Sequence, residues 1–143
     1  IAPVKGTPFD FTKGIRIGER INEKNEQLEF GRGYDHNWVL DKGEMMTGKK
    51  TGKLVFAAKV SCPLNGRMLE VYTTEPCLQV YTSNWSDYNQ TAKGGEHLSF
   101  RCGLALETQH APDSPNRPEW PTTFVKAGEV YKSATEFRFG VED

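Results

Sequence analysis

Turn-forming residues recur about every ten positions along this chain, and no stretch of a dozen residues between them carries apolar side chains at helical spacing. Such spacing accommodates short strands and little else, so the sequence reads as all-β. Residues 38–40 open one strand. Leu54, Phe56, Ala58 and Val60 alternate with Val55, Ala57 and Lys59 in a second. Asn65-Gly66 predicts a primed two-residue turn, whose central positions both need positive φ, and it leads into a strand at 68–73, so these two strands should pair. Leu78 and Val80 alternate with Gln79 and Tyr81. Residues 100–107 and 130–141 supply the last two strands, the latter with Tyr131, Phe137 and Phe139 on one parity. Only 19–28 could form a helical turn. Pro112, Pro115, Pro118 and Pro121 lie too close together for a strand interior and mark an ordered loop or an extended edge.

The strand at 100–107 carries the clearest candidate for chemistry. Phe100, Cys102, Leu104 and Leu106 share one parity, while Arg101, Gly103, Ala105 and Glu107 share the other. Glu107 therefore ends an apolar strand after two small residues on its own face, and a turn-rich loop follows. Gly103 and Ala105 leave room for a small polar ligand above that face. On parity alone, a base at the floor of a cleft and a surface glutamate on a half-exposed strand are equally good readings.

Charge and cysteine content narrow the partners. With 18 basic against 19 acidic residues, a net charge of −1 creates no field that would draw nucleic acid or an anionic membrane. Lys49, Lys50 and Lys53, set among threonines and glycines, read as a solvated hairpin tip rather than a phosphate site. Cys62, Cys77 and Cys102 are odd in number and lack the spacing of a disulfide framework or a zinc site, so reduced, buried thiols are expected. Asn84-Trp85-Ser86 and Asn89-Gln90-Thr91 match a glycosylation pattern too short to argue from. No leader-like start and no run near the ~18 apolar residues of a membrane span is present, so a soluble segment is expected, with the cytoplasm as its setting and a secreted or periplasmic one as the alternatives.

Five pieces of the chain, in order, are distinctive when read together. They are Ile1-Ala2-Pro3-Val4 with Gly6-Thr7-Pro8-Phe9-Asp10-Phe11; Gly33-Tyr34-Asp35-His36-Asn37; and Gly66-Arg67 with Leu69-Glu70-Val71-Tyr72-Thr73-Thr74. Pro76 with Leu78-Gln79-Val80-Tyr81-Thr82 and Asn84 follows, then the Glu107 segment with the closing Gly128-Glu129 and Tyr131. Together they resemble the C-terminal half of the aldose 1-epimerase (galactose mutarotase) family, and the resemblance implies one segment, 1–143, forming the C-terminal half of a large antiparallel β-sandwich with a sugar cleft across a concave sheet face. A start at Ile1 and a modest apolar content agree with a half-domain. The N-terminal half is then expected as a separate chain, since its absence would expose strand edges and an apolar face.

The activity implied is an isomerase that interconverts α and β anomers of aldohexoses by acid and base catalysis, with no cofactor required. Glu107 matches the family's base, which partial burial would suit to the task. Asp35 matches its substrate-binding carboxylate, against the alternative of a turn residue capping amides after Gly33, and Gln79 matches a further polar contact. Tyr81, Trp38 and Trp85 are aromatic enough to stack on a sugar, but core packing is the default. The family's acid histidine, in an Asn-His motif, has no match in this sequence and is expected in the N-terminal half. His36 could contribute near the sugar because it follows Asp35, whereas His110 with Asp113 reads as an ordinary loop histidine rather than a metal pair. No metal ligand set is assigned; Asn84, Asp87, Asn89 and Glu96 offer oxygens for calcium but no ordered spacing. A carbohydrate-binding module without catalysis is the alternative, and an epimerase of phosphorylated hexoses is disfavoured because no basic cluster accompanies Asp35 or Glu107.

Overall fold

The computed structural model describes residues 1–40, 53–86 and 90–142. Lys49 and Lys50 of the expected hairpin tip, and Asp87 and Asn89 of the calcium reading, lie outside the described residues. Among the described residues short strands dominate: β1 (Asp35–Val39), β2 (Val55–Ser61), β3 (Arg67–Thr73), β4 (Cys77–Tyr81), β5 (Ala105–Gln109) and β6 (Thr135–Val141), with two short helices, α1 (Ile17–Arg20) and α2 (Glu26–Gly31). They form two antiparallel three-stranded sheets, ordered β1-β4-β5 and β2-β3-β6. Among the described residues no helix is long and apolar enough to cross a membrane.

The chain divides into two compact units, Ile1–His36 with Gln79–Leu106 and Asn37–Leu78 with Glu107–Asp143. In the first, Tyr34 is fully buried, met edge-on by the rings of Phe9 and Phe11 at 5.9 and 5.2 Å, and its hydroxyl donates to the Pro8 carbonyl at 2.9 Å. Arg20 ties down the preceding coil by donating to the Thr7 and Asp10 carbonyls. The expected helical turn at 19–28 is two helices instead. Asn25 causes the break: its side chain accepts from the amides of Gln27 and Leu28, capping a new helix. That helix ends as Arg32 turns left-handed (φ 55°) and the Gly33 amide returns to the Leu28 carbonyl.

In the second unit, β2 and β3 pair antiparallel from Val55 with Thr73 to Ser61 with Met68, shifting register between Phe56 and Ala58. The expected pairing is present, but the turn differs. Cys62 N–H donates to Arg67 and the Gly66 amide donates back to Cys62, so Pro63 to Gly66 form a four-residue loop in which only Gly66 (φ 68°) is left-handed. Pro63 fixes the first turn position and removes the need for a positive φ at Asn65. A Cβ on Gly66 would also collide with the Glu142 carbonyl, whose own amide binds Gly66 at 2.8 Å. Gly66→Ala is therefore expected to destabilise this unit by about 2–3 kcal/mol, read as a lowered urea midpoint at unchanged m-value.

Strand β6 pairs with β3 from Arg67 with Val141 to Thr73 with Thr135 and gives this sheet two unlike faces. One carries charge: Lys59 pairs with Glu142, Arg138 lies 4.0 Å over the Tyr72 ring, and the Tyr72 hydroxyl donates to Glu70. The other is apolar, with Val71 fully buried but Phe139 and Val141 81% and 74% exposed. The last strand begins at Thr135 rather than at 130, so Tyr131 precedes it. Residues 110–121 form an ordered loop with a 3-10 turn at Ser114–Asn116 and buried Ala111, Ser114 and Pro121.

Candidate functional site

Strand β1 begins three residues earlier than periodicity predicts, and that shift defines the site. The Thr82 amide donates to the Tyr34 carbonyl at 3.0 Å, which sets Asp35 at the start of a paired strand rather than in a free turn. Gln79, on β4, is then a diagonal cross-strand neighbour, within reach of a long side chain. Its Nε2 donates to Asp35 Oδ1 at 2.8 Å. One carboxylate oxygen is thereby fixed, leaving Oδ2 to accept from a hydroxyl.

Beside Asp35 opens a shallow cleft of about 250 Å³ lined by Gln27, Phe30, Gly31, Asp35, His36 and Trp85. Phe30 and Trp85 are 67% and 56% exposed. Arg32 stacks over the indole at 4.9 Å, and the Trp85 amide binds the Tyr81 hydroxyl at 3.1 Å, so the ring is held in place. Acceptors beside an exposed aromatic surface suit a small polyhydroxylated ring, whose edge is polar and whose C–H face is not.

Below the cleft, fully buried Asn84 joins three segments. Its Nδ2 donates to the Gly31 and Tyr34 carbonyls, both at 2.8 Å, and its Oδ1 accepts from the Thr82 hydroxyl at 2.7 Å. Gly33 packs so closely that a Cβ there would stand 2.5 Å from Asn84 Oδ1. Those bonds commit Asn84 to the protein rather than to a calcium ion. Among the described residues no three His, Cys, Asp or Glu side chains gather as a metal site.

His36 is an anchor. Its Nδ1 accepts the Asp35 amide at 3.0 Å and its ring lies 4.7 Å from that of Phe9. Burial holds its pKa below the ordinary 6.5, outweighing a hydrogen bond to the Gln27 backbone and the Asp35 charge, which both favour the proton. Because the folded pKa is depressed, the unfolded chain binds the extra proton first. Stability contributed by neutral His36 is full above pH 6.5 and falls as the pH drops from there to the folded pKa. Urea midpoints at pH 7.5 and 5.5 are expected to separate in the parent and to converge in His36→Asn.

The chain matches, over residues 1–138, the family described as aldose 1-epimerase. It belongs to that family. Mouse galactose mutarotase is 38% identical over 141 residues, covering 99% of this chain and 37% of the relative. Aldose 1-epimerase of Escherichia coli K12 is 39% identical over 142 residues, covering 97% and 38%. The crystal structure of galactose 1-epimerase from Lactobacillus acidophilus NCFM aligns with a TM-score of 0.61 at 24% identity, over 97% of this chain and 37% of that one, and shows a shared all-β fold. The chain thus spans little more than a third of the length of these aldose 1-epimerase relatives, and it is a partial domain.

Asp35 and Gln79 meet in the first unit, and Glu107 belongs to the second. Arg101 adopts φ 60° and interrupts the expected strand at 100–107, so β5 starts at Ala105 and runs past Glu107 to Gln109. Glu107 is therefore mid-strand rather than terminal, and it is exposed rather than partly buried. Cys102 is likewise exposed, whereas Cys77 is buried and Cys62 intermediate. His110 pairs with Glu75, and Asp113 with Asn116 and Arg117. Phe30, Gln27 and the exposed face of Trp85 line the cleft beside Asp35 and add to the candidates read from the sequence. Their one signal in the sequence is a tryptophan inside a Ser-Asn-Trp-Ser turn, where no strand periodicity demands it.

Proposed function

We propose that this chain is the C-terminal part, 1–143, of one aldose 1-epimerase domain that interconverts the α and β anomers of an aldohexose such as galactose or glucose. Glu107 takes the proton of the anomeric hydroxyl while an acid protonates the ring oxygen, and the ring C–O bond breaks. Rotation about the C1–C2 bond, reclosure on the other carbonyl face and reversal of both proton transfers restore the groups. Asp35 Oδ2 accepts from a sugar hydroxyl, Gln79 steadies Asp35, and Phe30 and Trp85 carry the apolar face of the ring. The acid is a histidine of the domain's N-terminal part, which joins as a separate polypeptide, covers the exposed Phe139 and Val141, and excludes water above Glu107. The observation that carries the reading is the Asp35–Gln79 pair at the lip of an aromatic cleft in a chain of this family. A reducing compartment, the cytoplasm, is the proposed setting, because three cysteines without the spacing of a disulfide framework suit reduced thiols.

Polarimetry on freshly dissolved α-galactose and α-glucose tests it. Anomer exchange above the spontaneous rate is expected when the N-terminal part is present, and none with this chain alone. A native mass spectrum of active material holding this polypeptide and no other counts against the separate partner. One observation favours a second reading, a carbohydrate-binding module without catalysis: Asp35, Gln79, Phe30 and Trp85 all fall within the first unit, to which Glu107 does not belong. That reading requires saturable sugar binding, seen as Trp85 fluorescence quenching, with no faster exchange in any assembly.

A further inference from the structure

The second unit buries an ionisable cluster that the proposed chemistry leaves unused. Glu75, between β3 and β4, is 3% exposed, and the side chain of His110, the first residue beyond β5, is 8% exposed. His110 Nδ1 stands 2.6 Å from Glu75 Oε2, the Tyr131 hydroxyl donates to Glu75 Oε1 at 2.5 Å, and the His110 and Tyr131 rings are 6.3 Å apart. Burial by itself would raise the Glu75 pKa. Hydrogen bonds from Ser133 and Tyr131, with His110 alongside, more than reverse this and hold the carboxyl below its ordinary 4.5. His110 Nε2 is buried with no hydrogen-bond partner among the described residues. A buried pair of this kind is a poor source of stability, because well-packed apolar side chains of similar volume serve as well or better. Its value lies in fixing direction.

Strand alternation identifies what is fixed. Thr108 and His110 share one parity, and both are tethered: Thr108 Oγ1 lies 2.6 Å from Thr135 Oγ1, which lies 3.2 Å from Thr73 Oγ1, and His110 is held by Glu75. Glu107, on the opposite parity, is exposed. Two polar tethers on one side of β5 thus determine where the carboxylate on the other side is aimed.

We propose that Glu75, His110 and Tyr131 form a buried clamp that sets the direction of Glu107, making Glu75 and His110 positioning residues for anomer exchange. The inference rests on the reading of Glu107 as the base. In the assembled protein, His110→Ala is expected to lower kcat about 10- to 100-fold with KM within about twofold, because small displacements of a reacting group are costly. Amide hydrogen exchange at 105–110 is expected to accelerate at least about tenfold. His110→Gln, which retains an N–H for Glu75, recovers part of kcat. Tyr131→Phe removes one hydroxyl from a half-exposed residue and gives a smaller fall in kcat, carrying the test where His110→Ala does not fold. Unchanged exchange at 105–110 with unchanged kcat, or activity loss that tracks only the folded fraction, overturns the clamp. Full activity in Glu107→Gln overturns the base assignment instead, and the hydrogen-exchange comparison then still decides whether the clamp orders β5.

Discussion

Glu107→Gln is expected to slow anomer exchange by about 10²- to 10⁴-fold while leaving sugar affinity within about twofold. The substitution keeps the length and shape of the side chain and removes only its capacity to take a proton. Glu107 is exposed, and the backbone around it is held by Thr108 and, just beyond the strand, His110, so stability should move by no more than about 0.5 kcal/mol. A lost rate therefore cannot be assigned to lost fold. Asp35→Asn supplies the contrast. The amide still occupies the position beside Gln79 but is a weaker acceptor for a sugar hydroxyl, so its effect should fall on KM more than on kcat. Exchange NMR on α-galactose, run at sugar concentrations above and below KM, separates the two. An undiminished kcat in Glu107→Gln would assign proton removal to another group.

What the sequence makes legible follows the range of the forces involved. The β2–β3 pairing is local, set by alternation and a turn containing Gly66, and it emerges from periodicity even though Pro63 changes the turn type. The start of β1 does not emerge. Asp35, His36 and Asn37 have poor strand propensity, and pairing with β4 more than forty residues away overrides it. Arg101 appears to alternation as one more strand residue. Its left-handed backbone is instead held by the hydrogen bond its N–H donates to the Ser83 carbonyl and by those its guanidinium donates to Asn22 Oδ1 and the Arg32 carbonyl, contacts that no periodicity encodes. Asp35, Gln79 and Glu107 are named by family resemblance; alternation alone leaves Glu107 evenly divided between base and surface residue. Of the aromatic lining, Trp85 is named as able to stack on a sugar but assigned to the core, and Phe30 is not named, for a related reason. In a β-rich chain an aromatic residue is assigned to the core by default, and only the turn at Ser83 to Ser86, together with the end of α2, brings Trp85 and Phe30 outward.

Asn84→Asp is expected to be the most damaging single-atom exchange in the first unit, costing about 3–5 kcal/mol, more than Asn84→Ala at about 2–4. The order reverses what side-chain similarity suggests, and the hydrogen bonds explain it. In the alanine variant the Tyr34 carbonyl keeps the Thr82 amide, and the Thr82 hydroxyl, which also lies 3.1 Å from that carbonyl, can turn toward it. The Gly31 carbonyl loses the Asn84 amide and a small cavity remains. In the aspartate variant an oxygen replaces Nδ2 at 2.8 Å from both the Gly31 and Tyr34 carbonyls, so two acceptors confront a buried carboxylate. Protonation relieves one clash and not both, so the Asp variant should recover stability relative to the parent as the pH is lowered while the Ala variant does not. Urea unfolding at pH 7 and pH 5 reads both effects. Because Asn84 joins the end of α2, the residue before Asp35 and the residue after β4, the same loss of order should weaken sugar binding at Asp35, and an Asp variant as stable as the parent at pH 7 would remove Asn84 from that role.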